Sequence, residues 1–104
     1  MEMKRQKVII SKKAQQSIKN IYEYIKKEVS NQTALYVKNG ILQKCKSLKE
    51  FAGYSKERYL TELGYDYRSV TQWNYVIIYR CTKKDVIILN IIHAGMHPEK
   101  RKNL

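Results

Sequence analysis

Two long apolar runs near the end of the chain constrain its fold more than any other feature. Residues Tyr75–Cys81 and Val86–Ile92 carry apolar or aromatic side chains at both odd and even positions, with Asn90 as the exception. A strand that is apolar on both parities has to be covered on both faces. The polar segment 83–85 between the runs predicts a hairpin turn. The sequence therefore predicts two central strands, with other elements packed against their sheet.

Two amphipathic helices are predicted ahead of these strands. Ser11 can cap the first helix, since its hydroxyl can accept from free backbone N–H groups, and the break at Ser30-Asn31 offers a cap for the second. Apolar residues then recur at spacings of three and four, which is typical of one helix face. Gly40, inside the second helix, costs about 1 kcal/mol relative to alanine but lets a neighbour approach closely. The stripes are Ala14, Ile18, Ile21, Tyr22, Ile25 and Val29, then Ala34, Val37, Ile41, Cys45 and Leu48.

The remaining segments complete the predicted order. Lys7 to Ile10 reads as a first strand, Gly53 as a stop for the second helix, and residues 54–59 as a loop. Tyrosines alternate along a further strand from residue 65 to residue 70, and residues 71–74 form a turn. The short connection between the helices favours an antiparallel hairpin. The predicted fold class is α+β, in the order β-α-α-β-β-β, with the helical hairpin packed on a small, mostly antiparallel sheet. Residues 1–104 are expected to form a single domain.

Charge narrows the class of partner. The formal net charge is +12, and residues 1–60 carry 14 of the 21 basic residues against 5 of the 9 acidic ones. Such a charge suits an anionic partner, which leaves nucleic acid, an acidic protein or a membrane surface. A solvated lysine-rich face is the plain alternative. Nine tyrosines against one Phe and one Trp suit interfaces and stacking surfaces, although tyrosine also fills ordinary cores.

Cysteine usage and the N-terminus point to the cytoplasm. Cys45 and Cys81 match no metal spacing and read as buried free thiols. The N-terminal residues contain only three consecutive apolar side chains, far short of a signal-peptide core. No run approaches the roughly 20 apolar residues of a membrane span, so no membrane association is expected. His93 and His97 are four apart outside a helix with no further ligand, so we expect neither a metal nor a cofactor.

The second half of the chain resembles the RelE/ParE superfamily of type II toxins. Arg68 and the run Tyr75–Arg80 resemble the arginine strand of that superfamily and the strand that follows it. Ile91–Pro98 is similar to the ending of the ParE branch, where an apolar strand runs into His-x-x-Met-Asp. His97 stands where that branch usually has aspartate, and Lys100-Arg101 match its basic tail.

The resemblance implies two alternative activities. RelE-like members are ribosome-dependent ribonucleases that cut mRNA, whereas ParE-like members poison DNA gyrase without being nucleases. RelE-like enzymes use an arginine directly after the position that matches Tyr75. Val76 stands there and can supply no charge, which favours the ParE branch. If the chain were a nuclease, Arg68, Arg80 and His93 would have to provide the catalytic groups.

On the ParE interpretation, a set of aromatic, basic and polar side chains is expected to bind the target. Its members are Arg68, Trp73, His93, Met96, His97, Lys100 and Arg101. Three of them have simpler interpretations. His93 could hydrogen-bond a backbone carbonyl, Arg68 could stack on tyrosines and pair with residue 62 or 66, and Met96 could pack.

The resemblance also implies partners. These are a cognate acidic antitoxin and DNA gyrase or, on the RelE alternative, the ribosome and mRNA. A disordered acidic antitoxin segment that folds along the basic, tyrosine-bearing surface would suit the net charge of +12. A basic binding module without toxicity is a third interpretation.

Overall fold

A computed structural model describes residues 7–50, 67–82 and 84–94, which form two helices and one four-stranded sheet. The sheet order is β1-β4-β3-β2; β1 and β4 pair in parallel, and the other two pairs are antiparallel. This confirms the predicted α+β class and element order, and it places the two apolar runs, β3 and β4, at the centre of the sheet. The elements are β1 (Lys7–Ile10), α1 (Lys12–Glu28), α2 (Asn31–Ser47), β2 (Tyr67–Gln72), β3 (Tyr75–Cys81) and β4 (Asp85–His93).

Both helices begin where their serine caps predict. The Ser11 hydroxyl accepts from the backbone N–H of Ala14, and the Ser30 hydroxyl accepts from that of Thr33, each at 3.1 Å. Each pair satisfies a donor that the first helical turn would otherwise leave without a partner. The end of the α1 stripe was predicted wrongly. Val29 is 66% exposed, because it is the residue at which the backbone leaves the helix.

The two helices pack side by side on one face of the sheet. At their junction, the Tyr22 hydroxyl donates to the side-chain oxygen of Asn31 at 2.8 Å. The main core lies between the helices and the sheet, and a second cluster lies on the opposite face, which explains why both parities of the central strands are apolar. The main core contains Ala14, Ile18, Ile41, Cys45, Leu48, Val70, Ile77, Tyr79, Val86, Ile88 and Ile91, and the second cluster contains Val76, Ile78 and Ile92.

A β-bulge in β4 ties the sheet to α1. Tyr79 pairs with Ile88 while Ile77 pairs with Ile91, so β4 has one extra residue over this stretch. The extra residue lets Ile88 and Ile91, three apart, both enter the main core. Beside the bulge, the Ser17 hydroxyl of α1 donates to the buried Asn90 side chain at 2.5 Å. At the cap of the same helix, the Ser11 hydroxyl donates to the backbone oxygen of residue 89 at 3.1 Å.

The turn between β2 and β3 is tighter than residues 71–74 predict. β2 continues to Gln72, which pairs with Tyr75, so only Trp73 and Asn74 make the turn. Trp73 has a φ of 54°, in the left-handed region that bulky side chains rarely adopt. The first residue of a two-residue hairpin turn is a position where glycine is usual. Packing of the indole, described below, holds this conformation in place.

The remaining expectations concern the cysteines, the segments around residues 53–65 and 83, and membrane-spanning helices. Among the described residues neither Cys45 nor Cys81 forms a disulfide; Cys45 is buried, as predicted, whereas Cys81 is only half-buried, because it ends its strand. The predicted stop at Gly53, the loop at residues 54–59 and the strand start at residue 65 lie outside the described residues, as does residue 83 of the predicted turn. None of the helices in the described ranges is long and apolar enough to cross a membrane.

Candidate functional site

The strand register sorts the candidate residues to two ends of the sheet. Tyr75 pairs with Gln72 on one side and with His93 on the other. The Trp73-Asn74 turn and the end of β4 therefore lie together, and the N–H of Ala94 donates to the backbone oxygen of Asn74 at 2.7 Å. We call this the aromatic end, formed by Trp73, Tyr75 and His93 with Tyr24 of α1 and Tyr36 of α2. At the other end, Arg68 pairs with Tyr79 and Arg80 pairs with Tyr67; we call this the arginine end.

One cleft at the aromatic end lies between α1 and the sheet. It has a volume of about 440 Å³ and is lined by Asn20, Ile21, Tyr24, Tyr75 and His93. The His93 ring meets the Tyr75 ring edge-on, with centroids 5.8 Å apart. Burial, together with a smaller effect of the neighbouring Tyr24, raises the pKa of Tyr75. The Tyr75 phenol is therefore neutral at physiological pH.

A second cleft at the same end lies between α2 and the turn. It has a volume of about 320 Å³, and the rings of Tyr36 and Trp73 stand at 34° with centroids 5.3 Å apart. A Cβ atom added to Gly40 would lie 2.1 Å from the Cη2 atom of Trp73. Gly40 thus lets the indole lie directly on α2, which confirms the prediction that this glycine admits a close neighbour. The lining residues are Tyr36, Asn39, Gly40, Gln43, Gln72 and Trp73.

The arginine end divides its two arginines between opposite faces of the sheet. Paired residues of antiparallel strands point to the same face, so Arg68 shares the helix-covered face with Tyr79. Arg80 shares the opposite face with its partner Tyr67, which packs on the second cluster. Along β3, the partner of His93 is four positions from the partner of Arg68, or about 13 Å at 3.3 Å per residue. The three candidate nuclease residues therefore do not converge.

The residue at the position of the RelE-like arginine is also unsuited to catalysis. Val76 is only 7% exposed and belongs to the second cluster. It shares a face of the sheet with Arg80, which lies four positions further along β3. His93 lies on the other face, because its partner Tyr75 packs on the main core. Position 76 therefore presents no charged group that could stabilise a phosphorane beside His93.

The predicted target-binding set is only partly brought together. Trp73 and His93 lie at the aromatic end, in separate clefts, whereas Arg68 lies at the arginine end. The sequence analysis missed Tyr24 and Tyr36, which are 67% and 68% exposed. Both are tyrosines on their helices outside the apolar stripes, and that position is the signal that would have found them. The other predicted members, Met96, His97, Lys100 and Arg101, lie outside the described residues.

A third cleft, between the two helices and β1, has a different character. It has a volume of about 460 Å³ and an apolar floor that includes Ile18 and Leu42. Its rim carries Lys19 and Lys38, and the Lys38 ammonium lies 5.2 Å from the centre of the Tyr22 ring. The cation is thereby held at the cleft edge by a cation–π contact. Glu23 also lines the cleft, so two lysines and one carboxylate surround its apolar floor, with a net charge of +1.

No metal centre is formed by the part of the chain that the structure describes. Residues 7–50, 67–82 and 84–94 contain no group of three or more His, Cys, Asp or Glu side chains close enough to hold an ion. The described end of β4 instead offers aromatic and amide groups, which suit contacts with a partner rather than metal chemistry.

Comparison with known proteins identifies the family. A family model described as the ParE toxin of the type II toxin–antitoxin system parDE matches residues 8–98. A solved structure described as the chromosomal ParDE toxin–antitoxin system from P. aeruginosa matches with a TM-score of 0.73 and 20% identity, over 89% of this chain and 100% of that chain. No curated protein sequence matches significantly. Since the family match spans all six elements and both ends of the sheet, the chain belongs to the ParE toxins of type II toxin–antitoxin systems, a branch of the RelE/ParE superfamily.

Proposed function

We propose that this toxin inhibits DNA gyrase and that the aromatic end is the surface that binds the target. The observation that carries the proposal is the placement of Trp73 and His93 at one end of the sheet, where Tyr36 and Tyr24 are exposed beside them. Tryptophan and tyrosine are enriched among the residues that dominate the energy of protein interfaces. β4 also leads from His93 directly into residues 95–104, which include the other proposed target-binding residues, Met96, His97, Lys100 and Arg101.

The positions of the two arginines in the sheet support a binding protein over a ribonuclease. Metal-free RNA cleavage needs a base, an acid and a cation around one phosphate. Arg68 and Arg80 lie on opposite faces, and His93 lies at the other end of the sheet. The RelE-like activity remains the alternative function, with mRNA on the ribosome as its substrate.

The antitoxin is proposed to bind the third cleft. An acidic, amphipathic segment could bury apolar side chains against Ile18 and Leu42 while its carboxylates meet Lys19 and Lys38. Such a partner would also offset the net charge of +12. On this proposal the toxin acts in the cytoplasm, where gyrase and a co-expressed antitoxin are present.

The gyrase proposal is tested with purified toxin, gyrase and plasmid DNA. We expect an excess of toxin to abolish supercoiling and to accumulate linear DNA, because a trapped complex leaves the cleaved strands unsealed. Unchanged supercoiling without linear DNA would reject gyrase as the target. The same purified toxin is also incubated with translating ribosomes, where cleavage of the mRNA would establish the RelE-like alternative. Normal growth of cells after induced expression would favour the non-toxic binding module.

The antitoxin site is tested by reversing charges on the cleft rim. We expect Lys19→Glu and Lys38→Glu to weaken binding of the cognate antitoxin, with a smaller salt dependence than that of the wild type. Lys27→Glu makes the same charge change at an exposed α1 position outside the cleft and serves as the control. Equal loss in all three variants would indicate that only the overall charge matters, and the proposed cleft would be rejected.

A further inference from the structure

The second cleft has the chemistry of a nucleobase site. We propose that it binds an unpaired base of a single-stranded nucleic acid, preferentially adenine, between the Tyr36–Trp73 pair and three side-chain amides. The site shares Tyr36 and Trp73 with the proposed gyrase-binding surface, but it concerns a ligand that the chain would bind by itself, without gyrase.

The aromatic pair provides the stacking surface. The Trp73 ring is supported from beneath by Gly40, yet the residue remains 46% exposed, and Tyr36 is 68% exposed. Bases stack on such rings irrespective of sequence, because every base has a π-face. The left-handed backbone of Trp73 fixes the indole on α2, so its orientation is set before a ligand arrives. Strained backbone of this kind is concentrated at functional sites.

Three amides supply hydrogen-bonding groups at the cleft wall. Asn39 and Gln43 are one helical turn apart on α2, and Gln72 faces them from the end of β2. Within the described ranges, none of these three side chains makes a hydrogen bond to another part of the protein. By contrast, the amide groups of Gln15 and Gln16 on α1 both donate, at 2.9 Å. Asparagine and glutamine can pair with adenine through two hydrogen bonds, which is the basis of the expected preference.

Charge favours a nucleic acid over an acidic peptide in this cleft. No carboxylate and no cation lies among the lining residues, so the cleft itself selects a neutral, planar group. Attraction of the phosphate backbone comes from the rest of the molecule, whose net charge is +12. An acidic amphipathic peptide finds apolar depth and a lysine rim at the third cleft, which the amide-lined cleft lacks.

The sole tryptophan of the chain makes the proposal directly measurable. Because Trp73 is the only indole, fluorescence excited at wavelengths that tyrosine does not absorb reports on the surroundings of Trp73. The purified full chain is titrated with single-stranded oligomers of about ten nucleotides: oligodeoxyadenylate, oligoriboadenylate and an abasic oligodeoxynucleotide of the same length. We expect saturable quenching by the adenine oligomers and weaker binding of the abasic one. The first two oligomers distinguish DNA from RNA as the source of the base. Absence of quenching, or equal affinity for the abasic oligomer, would overturn the proposal.

Matched variants locate the binding. Tyr36→Ala and the double change Asn39→Ala with Gln43→Ala are each expected to weaken adenine-oligomer binding by about tenfold, with abasic binding unchanged. Both variants retain Trp73 as the reporter. Because alanine favours the helix, both are expected to fold, and far-ultraviolet circular dichroism checks this. Gln16→Ala, an amide change on α1, should bind as the wild type does. Wild-type affinity in the first two variants would reject the site. Gyrase inhibition by the wild type is measured separately, so rejection of the base site would leave the gyrase proposal standing.

Discussion

The two ends of the sheet use the same residue type for different purposes. At the arginine end, Tyr79 is fully buried beneath the helices, opposite Arg68. At the aromatic end, Tyr24 and Tyr36 are more than two-thirds exposed and line separate clefts. A tyrosine that is covered contributes to stability through packing, whereas an exposed tyrosine beside a cleft is available to a partner. On the proposed function, the covered tyrosine at the arginine end serves stability and the exposed tyrosines at the aromatic end serve recognition.

The largest predicted difference concerns two tyrosine-to-alanine changes. Tyr79→Ala should lower the free energy of unfolding by about 3–5 kcal/mol, because it leaves a large cavity in the main core. Tyr36→Ala should lower it by less than about 1 kcal/mol, since only an exposed ring contact is lost. Urea unfolding monitored by circular dichroism measures both. Similar losses in the two variants would break the distinction between the ends.

Alkaline pH should reveal the buried core through Cys45. Burial raises the pKa of its thiol from 9.0 to about 11, so above pH 9 the unfolded chain loses this proton while the folded chain keeps it. The free energy of unfolding should therefore fall as the pH rises from 9 to 11, by about 2–3 kcal/mol from this residue. Tyr75 adds a fall in the same direction at the aromatic end, because its pKa is also raised. Urea unfolding between pH 7 and pH 11 measures the profile.

A control separates the two contributions to that profile. Cys45→Ala removes the thiol, so its unfolding free energy should fall less steeply with pH than that of the wild type, whatever its value at neutral pH. Tyr75→Phe removes the phenol and should leave the Cys45 contribution in place. A pH profile that is unchanged by Cys45→Ala would show that the thiol does not titrate as a buried group.

The effect of Gly40→Ala on stability should change sign when the Trp73 indole is removed. In the wild type, Gly40→Ala is expected to destabilise by about 1–3 kcal/mol, because the new methyl group collides with the indole. In a Trp73→Ala background the same change should stabilise by up to about 1 kcal/mol, since alanine is the better helix former. A double-mutant cycle measures the coupling. Equal effects in both backgrounds would mean that the indole does not lie on α2.

Much of the fold could be predicted from local pattern. The serine caps at Ser11 and Ser30 determine where the helices begin, and residues 7–10 form the predicted strand. The β4 bulge and the sheet order could not be predicted, because they depend on pairing between segments far apart in the chain. The turn was expected to be longer, since no sequence rule indicates that a tryptophan will occupy a left-handed turn position.

The candidate site was less predictable than the fold. The sequence singled out Trp73 and His93, but their placement at the same end of the sheet depends on the β2–β3–β4 register. Arg68 was expected to act with them because its segment resembles the arginine strand of the superfamily. Strand geometry carries it to the other end of the sheet, since β2 runs away from the turn for its whole length. Tyr24 and Tyr36 were missed, because helix patterns identify the buried stripe more readily than the exposed residues that line a cleft.

The most direct test compares the two ends for gyrase inhibition. Trp73→Ala and His93→Ala at the aromatic end, and Arg68→Ala at the arginine end, are purified, checked for folding, and assayed with gyrase and plasmid DNA. We predict that the two aromatic-end variants lose inhibition of supercoiling, while Arg68→Ala retains it near the wild-type level. Loss of inhibition in Arg68→Ala, with wild-type inhibition by Trp73→Ala and His93→Ala, would contradict the assignment of target binding to the aromatic end.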